Sequence, residues 1–222
     1  MNNALIQSLY RYLIYGIALL TALPFHECAH AWTANKLGDP TARINGRMTL
    51  NPLAHLDPFG ALLMIFTGIG WAKPVPINAR NFKHPKWGMA ISSLAGPVSN
   101  LLLAYLSMIL WKITTIVSYY HSGFFVQNLI TIFATMVSIN IGLAVFNFIP
   151  IPPLDGSRIL NLFLPERTYF SIMRYERYAM LALMIAVYFG LLDGPLGFFR
   201  HLALNSINFL TGWIDLIWRL FL

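Results

Sequence analysis

Charge is scarce in this chain. Only 10% of its 222 residues are Asp, Glu, Lys or Arg, against about 25% in soluble domains, so a water-soluble globule is excluded at first order and a polytopic membrane protein is expected. Cysteine is nearly absent: the single Cys28 excludes an intramolecular disulfide and a zinc site built on thiolates. Acidic residues are few, eight against fifteen basic ones, which leaves a net charge of +7. Such an excess can signal nucleic acid, but no basic stripe with interleaved aromatics is present, and no nucleic-acid partner is expected. The basic residues gather between apolar segments instead, as the positive-inside bias predicts. Also missing are a positively charged n-region at Met1-Asn2-Asn3, an internal repeat and a long polar linker. The expectation is one retained membrane domain over residues 1–222, with a core at about 10–165 and C-terminal membrane segments at about 175–222.

What the chain has in abundance is apolar residues, 57% of the total. The first apolar segment runs from about Tyr10 to Asn35; the residues between Arg11 and Lys36 would extend about 36 Å as a helix, enough to span a bilayer. Pro24 should kink it. Between Asp39 and Asn81 the pattern changes. Thr41 to Leu50 alternates like a strand pair around Gly46, and Pro58 to Trp71 is apolar but too short to span, which reads as a re-entrant or interfacial piece. A second segment covers about Trp87 to Trp111 and is interrupted by Gly96-Pro97. A third covers about Phe124 to Ile149, followed by a short helix over Gly156 to Leu164. A fourth covers about Tyr175 to Leu192. The stretch from Pro195 to Leu222 is hydrophobic but broken by His201, Asn205, Asn208 and Asp215, and both a span and an interfacial placement stay open. The fold class expected is an all-α polytopic membrane protein with about four to five transmembrane helices and a small β or re-entrant segment between the first two.

Orientation follows from the Lys/Arg count. If the first segment enters from outside, the inner loops hold Lys36, Arg43, Arg47, Lys73, Arg80, Lys83, Lys86, Arg158, Arg167, Arg174 and Arg177. The outer side holds Arg11, Lys112 and Arg200, and Arg219 is left unassigned. This bias predicts a multi-pass protein of the cell membrane, with the inner end of segment one and the loop after segment three both on the cytoplasmic side.

Into this apolar background the sequence sets His26-Glu27-Cys28-Ala29-His30. Residues four apart on a helix share one face, so two neutral imidazoles so placed can hold one Zn²⁺, with Glu27 in reach of the attacking water as general base. Zinc would lower the pKa of that water to about 7. Three ionisable residues on one turn of an apolar helix are costly and usually functional. The motif lies six to ten residues before Lys36, roughly 9–15 Å inside that end.

A catalytic zinc needs a third protein ligand and an open position. Asp155, in the apolar turn Pro150-Ile-Pro-Pro-Leu-Asp-Gly156, is the best carboxylate, and it lies on the same predicted side. Its competing role is to cap the helix that follows. His55 and Asp57 are further candidates, as ligands, as groups behind the ligands, or as plain polar contacts in the loop. Asn147 can donate to a peptide carbonyl as it becomes an oxyanion, or can make an interhelical hydrogen bond of the kind common in membranes. Asn100 stands between the same two readings. Gly96 and Pro97 can admit another helix closely or open the segment.

Three blocks, His26-Glu27-Cys28-Ala29-His30, Ala95-Gly96-Pro97-Val98-Ser99-Asn100 and Asn147-Phe-Ile-Pro-Ile-Pro-Pro-Leu-Asp155-Gly156, together resemble the site-2 protease family of intramembrane zinc metalloproteases. Gly70-Trp-Ala-Lys-Pro-Val-Pro-Ile-Asn78 resembles its small prokaryotic branch. The resemblance runs from about residue 20 to 165. It implies His26, His30 and Asp155 as zinc ligands, one Zn²⁺ per chain, Glu27 as the base and Asn147 as a substrate-orienting residue. It also implies cleavage of transmembrane protein substrates within the bilayer. The chain has no room for the PDZ or paired CBS domains that many relatives carry, so their gating and substrate choice do not transfer. Two rivals remain open. A non-proteolytic scaffold or chaperone could keep the fold, although an intact Glu27 argues against it. A metal transporter would spread ionisable residues through the full depth rather than gather them at one side. The sequence names neither substrate nor oligomeric state.

Overall fold

The computed structural model describes residues 3–60 and 73–220. Among them the chain is helical, and no extended strand occurs. The helices are α1 (Asn3–Lys36), α2 (Thr41–Ile44), α3 (Pro52–His55), α4 (Pro85–Tyr120), α5 (Phe124–Asn147), α6 (Asp155–Leu160), α7 (Glu166–Arg174), α8 (Glu176–Tyr188), α9 (Asp193–Leu210) and α10 (Gly212–Arg219). Single 3₁₀ turns lie at Ala79–Asn81 and Asn161–Phe163.

Among the described residues, three helices are long and apolar enough to cross a membrane: α1 from Leu5, α4 and α5. The chain is therefore a multi-pass membrane protein. The expected fourth segment is shorter than its hydropathy suggests. With 13 residues, α8 extends only about 20 Å, and it qualifies as a span only when taken together with α9. That pairing gives at most four spans among the described residues, the low end of the expected number. Large apolar side chains are exposed along these helices, among them Leu9, Leu13, Leu102 and Leu106, as a hydrocarbon surrounding permits.

The Thr41–Leu50 strand pair is corrected by the structure. Thr41–Ile44 is a helical turn, and the reason lies just upstream. The Asp39 carboxylate accepts from both the backbone N–H and the hydroxyl of Thr41, a local bond that turns the backbone into a helix and competes with an extended path. Gly46, at φ +65°, then reverses the chain with a conformation that costs glycine little. The expected re-entrant piece, Pro58 to Trp71, falls mostly outside the described residues.

The described residues group into two compact units. The first comprises residues 1–22, 100–145 and 194–222. Its core contains Ile14, Ala18, Ala104, Met108, Val137, Ile141, Ala144 and Ile207. Small residues there let helices approach closely, which is how packing works where no water is expelled. Two polar clasps supplement it. Asn100 of α4 donates through Nδ2 to Asn140 Oδ1 of α5 at 2.9 Å, with both residues fully buried. Lys112, only 5% exposed, is paired with Asp215 on α10. The second unit comprises residues 23–99 and 146–193 and holds every candidate site residue except Asn100.

Candidate metal centre

The site is built on the last turns of α1. Pro24 is fully buried inside that helix, and two residues later His26 begins the motif. His26 and His30 are each 5% exposed, and their rings meet edge to face with centroids 4.6 Å apart. Their Nε2 atoms are 3.0 Å apart. Asp155, the first residue of α6, brings its Oδ2 to 3.1 Å from His26 Nε2 and 3.3 Å from His30 Nε2. The competing capping role does not apply: the N-cap of α6 is Leu154, without a side-chain cap bond.

The protonation pattern explains what such a cluster wants. His30 Nδ1 lies 2.7 Å from the carbonyl oxygen of Ser92 on α4. A carbonyl can only accept, so Nδ1 carries a proton, and in the neutral imidazole that leaves the Nε2 lone pair facing the cluster. Asp155 Oδ2 is buried without a hydrogen bond. Three acceptor-capable atoms at 3.0–3.3 Å need a proton or a metal ion among them to offset their mutual repulsion. A tetrahedral zinc with bonds of about 2.0–2.1 Å sets its ligand atoms roughly 3.3–3.4 Å apart. The donor set and its spacing fit that ion, and His26, His30 and Asp155 are the one such group of three among the described residues.

Gly96 of α4 makes the cluster sterically possible. A Cβ added there would lie 2.6 Å from His26 Cε1 and closer still to Cε1 and Nε2 of His30. Close approach of a partner was one of the two roles expected of Gly96; the partner is the pair of imidazoles. Gly156 has a related task, since a Cβ there would run into the backbone carbonyl oxygens of Phe148 and Ile149. Its absence lets the Pro-rich turn close behind Asp155.

Glu27 is half-buried, and its Oε2 accepts a hydrogen bond from the Val75 backbone N–H at 3.2 Å. Asn147 is half-buried at the C-terminal end of α5. The remaining candidates are elsewhere. His55 is buried and donates through Nε2 to the Thr49 carbonyl. Asp57 Oδ1 accepts from the Gly60 N–H. These are the polar loop contacts that stood among their possible roles. Asn100 makes the interhelical bond described above. Sequence reasoning missed the Ser92 carbonyl and the Val75 amide, because backbone atoms carry no residue-type signal.

Two imidazoles and a carboxylate set beside a second carboxylate, in a protein with helices apolar enough to span a membrane, are the class features of a membrane metallohydrolase. Comparison with known proteins gives the family. The model for "Peptidase family M50" matches residues 110–192, a stretch that includes Asn147 and Asp155. The "Putative zinc metalloprotease YwhC" of Bacillus subtilis (strain 168) is 39% identical over 178 residues, 80% of each chain. The "Putative zinc metalloprotease Rip2" of Mycolicibacterium smegmatis is 29% identical over 75% of this chain and 63% of its own length. Its Mycobacterium tuberculosis (strain H37Rv) namesake is 28% identical with the same coverage. No solved structure gives a significant match. The chain belongs to peptidase family M50, the site-2 protease type of zinc metalloendopeptidase.

Proposed function

We propose that this protein is an intramembrane endopeptidase that cuts peptide bonds within or beside transmembrane segments of other membrane proteins, working as a single domain with one Zn²⁺ per chain. His26, His30 and Asp155 would hold the ion. The observation that carries this reading is the convergence of their three donor atoms at 3.0–3.3 Å. When bound, zinc supplies Lewis acidity, polarising the scissile carbonyl and making water acidic enough to ionise near neutral pH. Glu27, one residue from the first ligand, takes the proton of the attacking water and passes it to the leaving amine. The Asn147 side-chain amide orients the substrate carbonyl and donates to it as negative charge develops. The two buried imidazoles keep bulk water from competing for the ion, which strengthens each of these electrostatic contacts.

The Lys/Arg asymmetry supports placing the protein in the cell membrane with the site near the cytoplasmic side. Substrates would therefore be transmembrane proteins whose scissile bond enters the same depth. A test separates chemistry from scaffolding. Glu27→Gln should abolish cleavage of a model membrane substrate while keeping full zinc. His26→Ala, His30→Ala and Asp155→Ala should each lower zinc content, measured on purified protein. Full zinc in Asp155→Ala, with loss on replacing His55 or Asp57, would make the third ligand wrong. Cleavage retained in Glu27→Gln would remove the general base.

A further inference from the structure

Glu27 has to be aimed. A free glutamate side chain samples many rotamers, and a base must sit within about 0.5 Å of its productive place. The Glu27 carboxylate accepts a hydrogen bond from Val75, in the exposed to half-buried stretch Lys73 to Asn78. The sequence there is Lys-Pro-Val-Pro-Ile-Asn. Prolines at 74 and 76 have no N–H, so Val75 is the sole amide donor of the three, and each proline forces its predecessor into an extended conformation. Both ends of this strap are fastened. The Lys73 N–H donates to the His55 carbonyl at 2.8 Å, and Arg47 Nη2 donates to the Lys73 carbonyl at 2.5 Å. At the far end, the Asn78 N–H donates to Asp39 Oδ2 and Asn81 Nδ2 donates to Asp39 Oδ1, both at 2.7 Å. Asp39 is fully buried, Arg47 is 8% exposed, and the Asp39 N–H donates to the carbonyl of Ala34 on α1 at 2.9 Å.

These contacts close a ring: α1, Asp39, Asn78, Val75, Glu27 and back to α1. We infer that Asp39 and Arg47 are positioning residues for the proteolytic step, fixing the strap so that the Val75 amide holds Glu27 in its working orientation. The inference rests on the reading of Glu27 as the base. Displacement of a catalytic group by about 1 Å can cost a hundredfold in rate, so loosening either anchor should appear in kcat. Asp39→Asn is a selective probe. It can keep Oδ1 for Thr41 and Asn81 while setting an NH₂ against the Asn78 N–H, two donors face to face. Val75→Pro removes this donor. Arg47→Ala removes the other anchor, and Arg47→Lys restores part of it.

The experiment uses the full-length zinc-loaded protein in lipid nanodiscs with a model transmembrane substrate, and it measures zinc content, KM, kcat and amide exchange over residues 73–78. Asp39→Asn and Val75→Pro should lower kcat tenfold or more, with full zinc and KM within about twofold. Exchange in the strap should quicken in Asp39→Asn, and Arg47→Lys should recover part of the kcat lost in Arg47→Ala. Loss of zinc or of folding in step with kcat would mean a merely structural role and would overturn the inference. A raised kcat would overturn it too, by making the Val75 contact inhibitory. If Glu27→Gln is dead while Asp39→Asn and Val75→Pro keep wild-type kcat, only this inference fails. If Glu27→Gln remains active, the proposed function fails first.

Discussion

Gly96→Ala sets two known effects against each other. In a helix interior the change is worth about 0.8–1.0 kcal/mol in favour of Ala. The new methyl would stand 2.6 Å from His26 Cε1 and nearer to His30, where unstrained carbons sit about 3.5–4.0 Å apart. The rings or the helix must therefore give by roughly 1 Å. Overpacking of this kind costs about 1–3 kcal/mol, so the helical gain offsets part of it and the melting temperature should move little. Metal affinity should move much more, because ligand distances are tolerated only to within about 0.2 Å. If the strain falls on the ligands, about 1–3 kcal/mol corresponds to roughly a 5- to 150-fold weaker site. Chelator competition on purified protein measures this directly. Gly16→Ala is the control, because beyond its chain neighbours and its own helix backbone nothing lies within 4 Å of the added Cβ, and it should leave zinc affinity unchanged. If Gly96→Ala binds zinc as tightly as Gly16→Ala does, the steric argument about the site is refuted.

Reporter fusions at Lys83 and His121 should give opposite signals, cytoplasmic for the first and external for the second; identical or inverted signals would undo the orientation. Replacing helix-breaking Gly or Pro near the cut of a model substrate by Leu should slow cleavage at least fivefold, since unwinding then costs about 1–3 kcal/mol more. Undiminished cleavage, with insertion and binding equal, would show that unwinding is not limiting. Burial alone would push the Asp39 carboxyl up, but hydrogen bonds from Thr41, Asn81 and Asn78 outweigh it and hold the group below its ordinary value. Its contribution to stability is therefore full above about pH 4 and lost as pH falls through the lower folded value. The melting-temperature gap between wild type and Asp39→Asn should be constant from about pH 5 to 8 and close below about pH 4; a gap that persists in acid would mean that the charge of Asp39 is not what holds the knot.

The parts of this molecule that were legible in advance are those where residue type alone sets the physics. Long apolar runs specify α1, α4 and α5, and a 3.6-residue period puts His26 and His30 on one face. The errors have local causes. Alternation from Thr41 to Leu50 suggested strands, but a buried Asp39 with four acceptor contacts decided the backbone instead. Asp155 could be read as a cap, and only the tertiary position of α6 shows its carboxylate turned to the imidazoles. The strap over Lys73 to Asn78 works through main-chain groups. Its one visible signal, a Pro-Val-Pro triplet that leaves a lone amide proton, means little until Glu27 is seen across from it.

Ser92 and Gly96 lie one turn apart on α4, the first holding the His30 ring by its carbonyl and the second yielding room for it. The same few ångströms of helix surface serve as both wall and clamp of the site. If α4 swung outward there to admit a substrate, it would release the tautomer that makes His30 a ligand, and the enzyme would open at the cost of its ion. The seam between α1 and this turn of α4 is consequently expected to stay closed in the zinc-loaded protein, with a substrate arriving by another face. Chelation should in turn free this wall, so that removing the metal loosens the helix packing before it alters the fold of either helix.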